Sequence, residues 1–125
     1  MRVYLAGGLH GDWRDRVKRE VPDVTWIDPR QHGLEGDPAA YTTWDVMGVA
    51  RCDVLFAYLS ENNPSGLGLA FEMGYARALG KPIIYACELT PEHERFSQML
   101  WHSASVACIS LGGGIEYLRA FVRQP

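Results

Sequence analysis

Short runs of apolar, mostly β-branched residues alternate with longer amphipathic stretches along the whole chain. The runs are Val3–Ala6, Val24–Ile27, Val54–Leu59, Ile83–Ala86 and Val106–Ile109. Such short, continuous apolar runs predict strands buried on both faces. Between them, apolar residues recur at helical spacing. Trp13, Val17 and Val21 mark one face of a helix that Asp12 can cap and Pro22 stops. A second helix is expected from Tyr41 to about Arg51, and a third over Leu67–Leu79, closed by Gly80 with Pro82 beyond. Thr90 is placed to cap a fourth, with Pro91 at its first position, running to about Trp101. A last helix is expected over Ile115–Val122. Residues 28–40 hold Pro29, Gly33, Gly36 and Pro38 and read as a loop.

Strict alternation of strand and helix specifies a parallel sheet covered on both faces. Five strands predict an α/β, flavodoxin-like (Rossmann-like) three-layer sandwich with strand order 2-1-3-4-5. The chain then forms a single domain over residues 1–125, with no repeat, low-complexity segment or linker. In such a sheet a ligand crevice lies at the carboxyl ends of the strands, near strands 1 and 3.

Composition narrows the partners. The 125 residues carry 12 Lys+Arg against 15 Asp+Glu, a formal net charge of -3. A nucleic-acid polymer would be met by a basic surface, so none is expected as a partner. No apolar run approaches the about 20 residues of a membrane span, so no membrane partner is expected. Cys52, Cys87 and Cys108 are far apart, without C-x-x-C spacing, and read as reduced thiols of a cytoplasmic protein. The four histidines are equally scattered, so no metal is expected.

Candidate chemistry gathers at the predicted crevice. The loops after strands 1 and 3 hold Gly7, Gly8 and Gly11, and Gly66 and Gly68. Glycine lets a ligand approach the backbone, and a helix start offers free N–H groups; tight turns need glycine just as often. Arg14 is the basic residue nearest the first loop. Neither loop has G-x-G-x-x-G spacing, and no G-K-[ST] occurs. There is no G-x-S-x-G elbow either. On helix 67–79, positions 69, 72, 76 and 79 share a face. Leu69, Ala76 and Leu79 are apolar there, so Glu72 interrupts a stripe expected to be buried. A carboxylate in that position is costly unless paired or solvated by a crevice, which marks Glu72 as a functional candidate. Tyr4 lies late in strand 1, in the layer that reaches the crevice. Asp45 sits on a helix among Trp44, Val46, Met47 and Val49. Asp53 opens strand 3 at the far end and reads as structural.

The block Tyr4-Leu-Ala-Gly7, the segment from Asp45 to Cys52-Asp53-Val-Leu, and above all Ser65–Pro82 (SGLGLAFEMGYARALGKP) resemble the nucleoside 2-deoxyribosyltransferase family. That family includes related 2'-deoxynucleoside 5'-monophosphate N-glycosidases and CMP N-glycosidases. The resemblance covers nearly the whole chain. It implies a flavodoxin-like fold and an enzyme in which Glu72 attacks C1' of the sugar. Tyr4 would orient that nucleophile, and Asp45 would protonate the leaving base. No cofactor is implied. Transfer of the deoxyribosyl group to another base leads; hydrolysis of a (deoxy)nucleoside 5'-monophosphate is the alternative. A non-catalytic nucleotide-binding module remains a rival of another class. A flavodoxin-like electron carrier is poorly supported, because the loops lack a flavin pattern.

The resemblance also implies binding residues. The transferases carry an aspartate six residues before the nucleophile; here that residue is Gly66, beside Ser65. Ser65, Gly66 and Gly68, with Gly7 and Gly8, would suit a 5'-phosphate. The family completes its pocket from a neighbouring subunit. The matching segment is Ser97–His102, with Met99 covering the base and Ser97 or His102 reaching the 5' end. Trp44 would stack on a base. The implied partners are a nucleoside or its 5'-monophosphate, a free nucleobase, and a second copy in a homodimer or dimer-based oligomer.

Overall fold

The computed structural model describes residues 1–63 and 66–125. Its elements follow as β1 (Arg2–Gly7), α1 (Trp13–Glu20), β2 (Thr25–Ile27), a 3₁₀ turn (Pro29–Gln31), α2 (Pro38–Arg51), β3 (Val54–Ser60) and α3 (Gly66–Ala78). After them come β4 (Ile83–Glu88), α4 (Pro91–Glu94), a second 3₁₀ turn (Arg95–Ser97), α5 (Gln98–Ser103), β5 (Val106–Cys108) and α6 (Leu111–Val122). All strand pairs are parallel, and the sheet order is β2-β1-β3-β4-β5. The predicted order and the three-layer sandwich are therefore observed.

The pleat divides the core in two. Val3, Leu5, Val54, Phe56 and Tyr58 point to one face, where they pack with Trp13 and Val17 of α1 and Ile115 and Leu118 of α6. Tyr4, Ala6, Leu55, Ala57 and Leu59 point to the other, against Val49 of α2 and Leu69, Met73 and Ala76 of α3. All seven residues of β3 are buried, as befits the central strand. Tyr4 thus faces α2 and α3, the helices that carry Asp45 and Glu72.

Several expected boundaries are corrected. Helix α2 begins at Pro38, not Tyr41, because Asp37 caps it: its Oδ1 accepts the Ala40 N–H at 3.1 Å. The expected helix from Pro91 to Trp101 is broken into α4, a 3₁₀ turn and α5. Thr90 does stand at the first N-cap, but its side chain makes no cap bond. Its hydroxyl is spent on Glu61, 3.0 Å away. Asp12 occupies the N-cap of α1, also without a side-chain cap bond. The last helix starts four residues early, at Leu111, because Ser110 Oγ accepts the Gly113 N–H at 3.0 Å. The last strand stops at Cys108, leaving Ile109 exposed. At the end of α3 the reading holds. Gly80, at φ 72, donates to the Arg77 carbonyl and Lys81 to that of Ala76, a Schellman closure.

One glycine brings α2 close to the sheet. A Cβ on Gly48 would lie 2.9 Å from both Tyr4 Cε2 and Ile27 Cγ2. Contacts this short force the ring or the helix to move. Gly48→Ala is expected to destabilise the protein by about 1–3 kcal/mol through overpacking. Urea unfolding would read this as a lower midpoint at unchanged slope; an unchanged midpoint would mean that α2 is not held against Tyr4 as described.

Candidate active site

A crevice of about 390 Å³ opens at the carboxyl end of β1, between α2, α3 and the loop after β2. Gly7, His32, Tyr41, Asp45, Gly68 and Glu72 are among its lining residues. It lies beside β1 and β3, where the chain's crossovers change direction.

Tyr4 and Glu72 meet here. The phenol of Tyr4 donates a short hydrogen bond to Glu72 Oε2. Tyr4 is fully buried, on the face of β1 that α3 covers. Glu72 lies between Leu69 and Ala76 on the stripe where the spacing put it, and both neighbours are buried. Leu79, expected on the same stripe, is exposed because α3 ends beside it. Burial raises the Glu72 pKa to about 7, and the negative charge of Asp45 adds to the rise. The Tyr4 hydrogen bond and the Arg14 charge oppose it. Burial, then the Glu72 charge, pushes Tyr4 well above its ordinary value, so its proton stays on.

Asp45 approaches from α2. Its Oδ1 is buried and has no hydrogen-bond partner among the described residues. Burial raises its pKa, and the His32 ring lowers it. The crevice therefore holds two carboxyl groups that both resist ionisation, one of them braced by a phenol.

Other residues singled out above fall in several places. Gly7 and Gly68 line this crevice; Gly8 and Gly66 do not. Gly8 packs against Asn63, whose Oδ1 would sit 1.6 Å from an added Cβ. Gly66 and Ser97 line a separate apolar groove of about 520 Å³ with Leu67 and Phe96. Ser97 is buried and donates to the Glu94 carbonyl at 2.9 Å. Met99 and His102 lie exposed on α5 and line no part of the Glu72 crevice. Trp44 lines a third crevice with Trp26, and its ring meets His32 edge-on at 5.6 Å. Ser65 lies outside the described residues. Asp53 accepts the Arg2 N–H at 2.7 Å at the amino end of the sheet, away from this crevice.

Two site features escaped sequence reasoning. His32 and Tyr41 stack with centroids 5.8 Å apart and planes within 6°. The Leu34 N–H donates to His32 Nδ1 at 2.8 Å, so the neutral ring carries its proton on Nε2. Arg14 is buried rather than surface-facing, and it bonds the carbonyls of Leu5, Gly7 and Gly8. Among the described residues, no group of three or more His, Cys, Asp or Glu is arranged to hold a metal ion. No helix there is long and apolar enough to cross a membrane.

A family model described as nucleoside 2-deoxyribosyltransferase matches residues 3–107. The chain belongs to that family. Among solved structures, a 2-deoxyribosyltransferase of Bacillus psychrosaccharolyticus is similar, with TM-score 0.75 and 19% identity over 98% of this chain and 96% of that one. A 2-desoxiribosyltransferase of Leishmania mexicana has TM-score 0.61 and 27% identity, over 77% of this chain and 71% of that one. The CMP N-glycosidase of Clostridium botulinum has TM-score 0.62 and 19% identity, over 94% and 98%. The likeness to the Bacillus and Clostridium proteins is one of fold. A search of curated proteins finds no significant match.

The ionisation of Glu72 has a thermodynamic signature. Its carboxyl binds a proton up to about pH 7 when folded and only to about 4.5 when unfolded. Between those values the native state holds more protons, so stability falls as pH rises. Glu72→Gln removes that penalty. The variant is expected to be more stable than wild type at pH 8, by up to about 3 kcal/mol, with the gap closing below pH 4.5. Thermal melts at both pH values test this; a gap independent of pH would mean that Glu72 is not desolvated.

Proposed function

We propose that the chain cleaves the N-glycosidic bond of a 2'-deoxynucleoside and transfers the deoxyribosyl group to a second nucleobase. The reading rests on one observation: Tyr4 holds one oxygen of a half-buried Glu72 in a crevice that Asp45 also lines. Glu72 Oε2 is engaged, which leaves Oε1 to attack C1'. The bond from C1' to the base nitrogen breaks, and its electron pair departs with the base. Asp45, whose pKa burial raises, gives the leaving base its proton. The acceptor base then attacks C1' of the glycosyl ester, frees the Glu72 carboxylate and returns a proton to Asp45. Two displacements retain configuration at C1'. Family membership and the likeness to 2-deoxyribosyltransferases support this reading.

His32 and Tyr41 form the aromatic wall on the Asp45 side of the crevice. In this reading they face the base. His32 Nε2–H is the donor available to a base acceptor atom, since Nδ1 is already occupied.

A specific observation favours a second reading, hydrolysis of a 5'-monophosphate. Gly66 stands where the transferases carry an aspartate, and among the described residues no atom beyond its chain neighbours and its own helix backbone lies within 4 Å of the position its Cβ would take. The position itself carries no carboxylate to repel a phosphate, and the CMP N-glycosidase shares the fold. Ser65, Gly66 and Gly68 would then serve the phosphate end.

We assign the working enzyme to a homodimer. Leu67 and Phe71 on α3, with Phe96 and Met99 beside α5, leave large apolar side chains in solvent. A second copy covering that face would bring Met99 and His102 towards a neighbouring crevice. Ser97, turned inward, is the weaker candidate of the three. Buried, free Cys52 and Cys87 accord with a reducing, cytoplasmic setting.

Purified protein incubated with deoxyinosine, deoxyuridine or dCMP, with and without adenine, tests the reading by chromatography. A new deoxynucleoside formed only with adenine is the expected result. Free base from dCMP alone would replace transfer by hydrolysis. Nucleotide binding without any base release would replace both by a binding module. Glu72→Ala should lower turnover by about three orders of magnitude or more. Because Glu72 must be ionised to attack, wild-type kcat/KM should rise with pH through about 7.

A further inference from the structure

Strand β1 outruns its neighbour. Its pairing with β2 ends at Tyr4 opposite Ile27, whereas its pairing with β3 continues to Gly7. The β2 side of β1 beyond Tyr4 therefore has no strand partner. Arg14 occupies that place. Its guanidinium donates to the carbonyls of Leu5 at 3.1 Å, Gly7 at 2.9 Å and Gly8 at 2.6 Å. The residue is 1% exposed. A charge so placed needs a counter-ion. Asp28, fully buried where β2 ends, lies 3.4 Å from Nε. Asp28 also accepts from Lys18 and Arg30. Its negative charge is thus shared among three cations, and Arg14 retains a net positive field.

Gly7, whose carbonyl Arg14 holds, lines the crevice. Arg14 acts on Glu72, Tyr4 and Asp45 alike, and in each case favours the anion. Tyr4 and Asp45 are the other groups bearing on Glu72, and His32 bears on Asp45. Among these crevice groups, Arg14 is the permanent positive charge. Lys18 and Arg30 are bound up with Asp28.

We propose that Arg14 is a positioning residue of the glycosyl-transfer site: through three carbonyls it fixes the Gly7–Gly8 turn that walls the crevice, and it places a buried positive charge behind that turn. It touches no substrate and acts through the turn and the nucleophile. The proposal rests on the assignment of Glu72 as nucleophile, but its test does not depend on turnover.

Two variants separate field from scaffold. Arg14→Gln keeps a donor and loses the charge; Arg14→Lys keeps the charge and loses the planar fork. In glutamate-¹³C-labelled protein, the Glu72 carboxyl resonance is identified by its loss in Glu72→Gln and followed against pH. In Arg14→Gln its midpoint is expected to move up by about half a unit or more. In Arg14→Lys it should stay near the wild-type position. The ratio of kcat/KM at pH 8 to that at pH 6 should rise about twofold or more in Arg14→Gln, and be restored by Arg14→Lys. An unmoved Glu72 midpoint in a folded Arg14→Gln protein overturns the proposal. So does failure of both variants to fold, because Arg14 would then be scaffold alone. If wild type releases no base at all, the catalytic reading falls, and the carboxyl titration still decides whether Arg14 governs Glu72.

Discussion

Holding a carboxylate out of water at the end of a parallel sheet is the constraint on which this site turns. An isolated buried carboxylate costs several kcal/mol in practice, and proteins avoid it by pairing or neutralising the group. Glu72 receives neither full remedy. It has one hydrogen bond, from Tyr4, and a cation acting from further away. No salt bridge reaches it among the described residues. The result is a carboxyl that titrates near neutrality. A full ion pair with Arg14 would hold the group ionised but bind up its oxygens. The arrangement instead leaves one oxygen uncommitted, at the expense of native stability above pH 7.

The same burial acts oppositely on the roles of the two carboxyl groups. In the proposed mechanism Glu72 must lose its proton to attack, and Asp45 must keep its proton to give it to the leaving base. Both are raised by desolvation, and the Asp45 charge disfavours that of Glu72. Like charges in one cavity do not readily ionise together, so the pair prefers a single negative charge. Tyr4 donates to Glu72 and also bears on Asp45, whose Oδ1 has no hydrogen-bond partner among the described residues. Both carboxyl groups therefore depend on Tyr4, which is held against α2 by the absence of a side chain at Gly48.

How much of this was legible depends on the range of the interaction. Strand order followed from short apolar runs alternating with helices, because local pattern and topology agree throughout the sheet. Glu72 was legible because it interrupts an apolar stripe, and a helix repeats its faces whatever the tertiary structure. Asp45 rested on the family resemblance, since an aspartate among apolar neighbours reads as structural as easily as chemical. Helix 91–101 was misread as continuous because Thr90 is engaged by Glu61, 29 residues earlier. Arg14 was illegible for a related reason. Its burial follows from β2 ending three residues before β1, a difference in strand length that no residue-level pattern announces. The His32–Tyr41 stack joins a loop to a helix and has no sequence period at all.

The glycine loops looked equivalent in sequence and are not equivalent in the fold. A side chain at Gly7 would meet the Tyr58 carbonyl at 2.5 Å, and one at Gly8 would overlap Asn63. Both are required by the protein's own packing, whatever binds beside them. Gly66 and Gly68 have open space where a side chain would stand. Packing does not explain those two. They lie at the start of α3, where N–H groups lack helical partners, and Gly68 lines the crevice that holds Glu72. The bare surface there is what close approach of a ligand to the backbone requires. The β1 turn is therefore best understood as a wall held by Arg14 and Asn63, and the first turn of α3 as the side from which, in the proposed mechanism, the sugar end would reach Glu72.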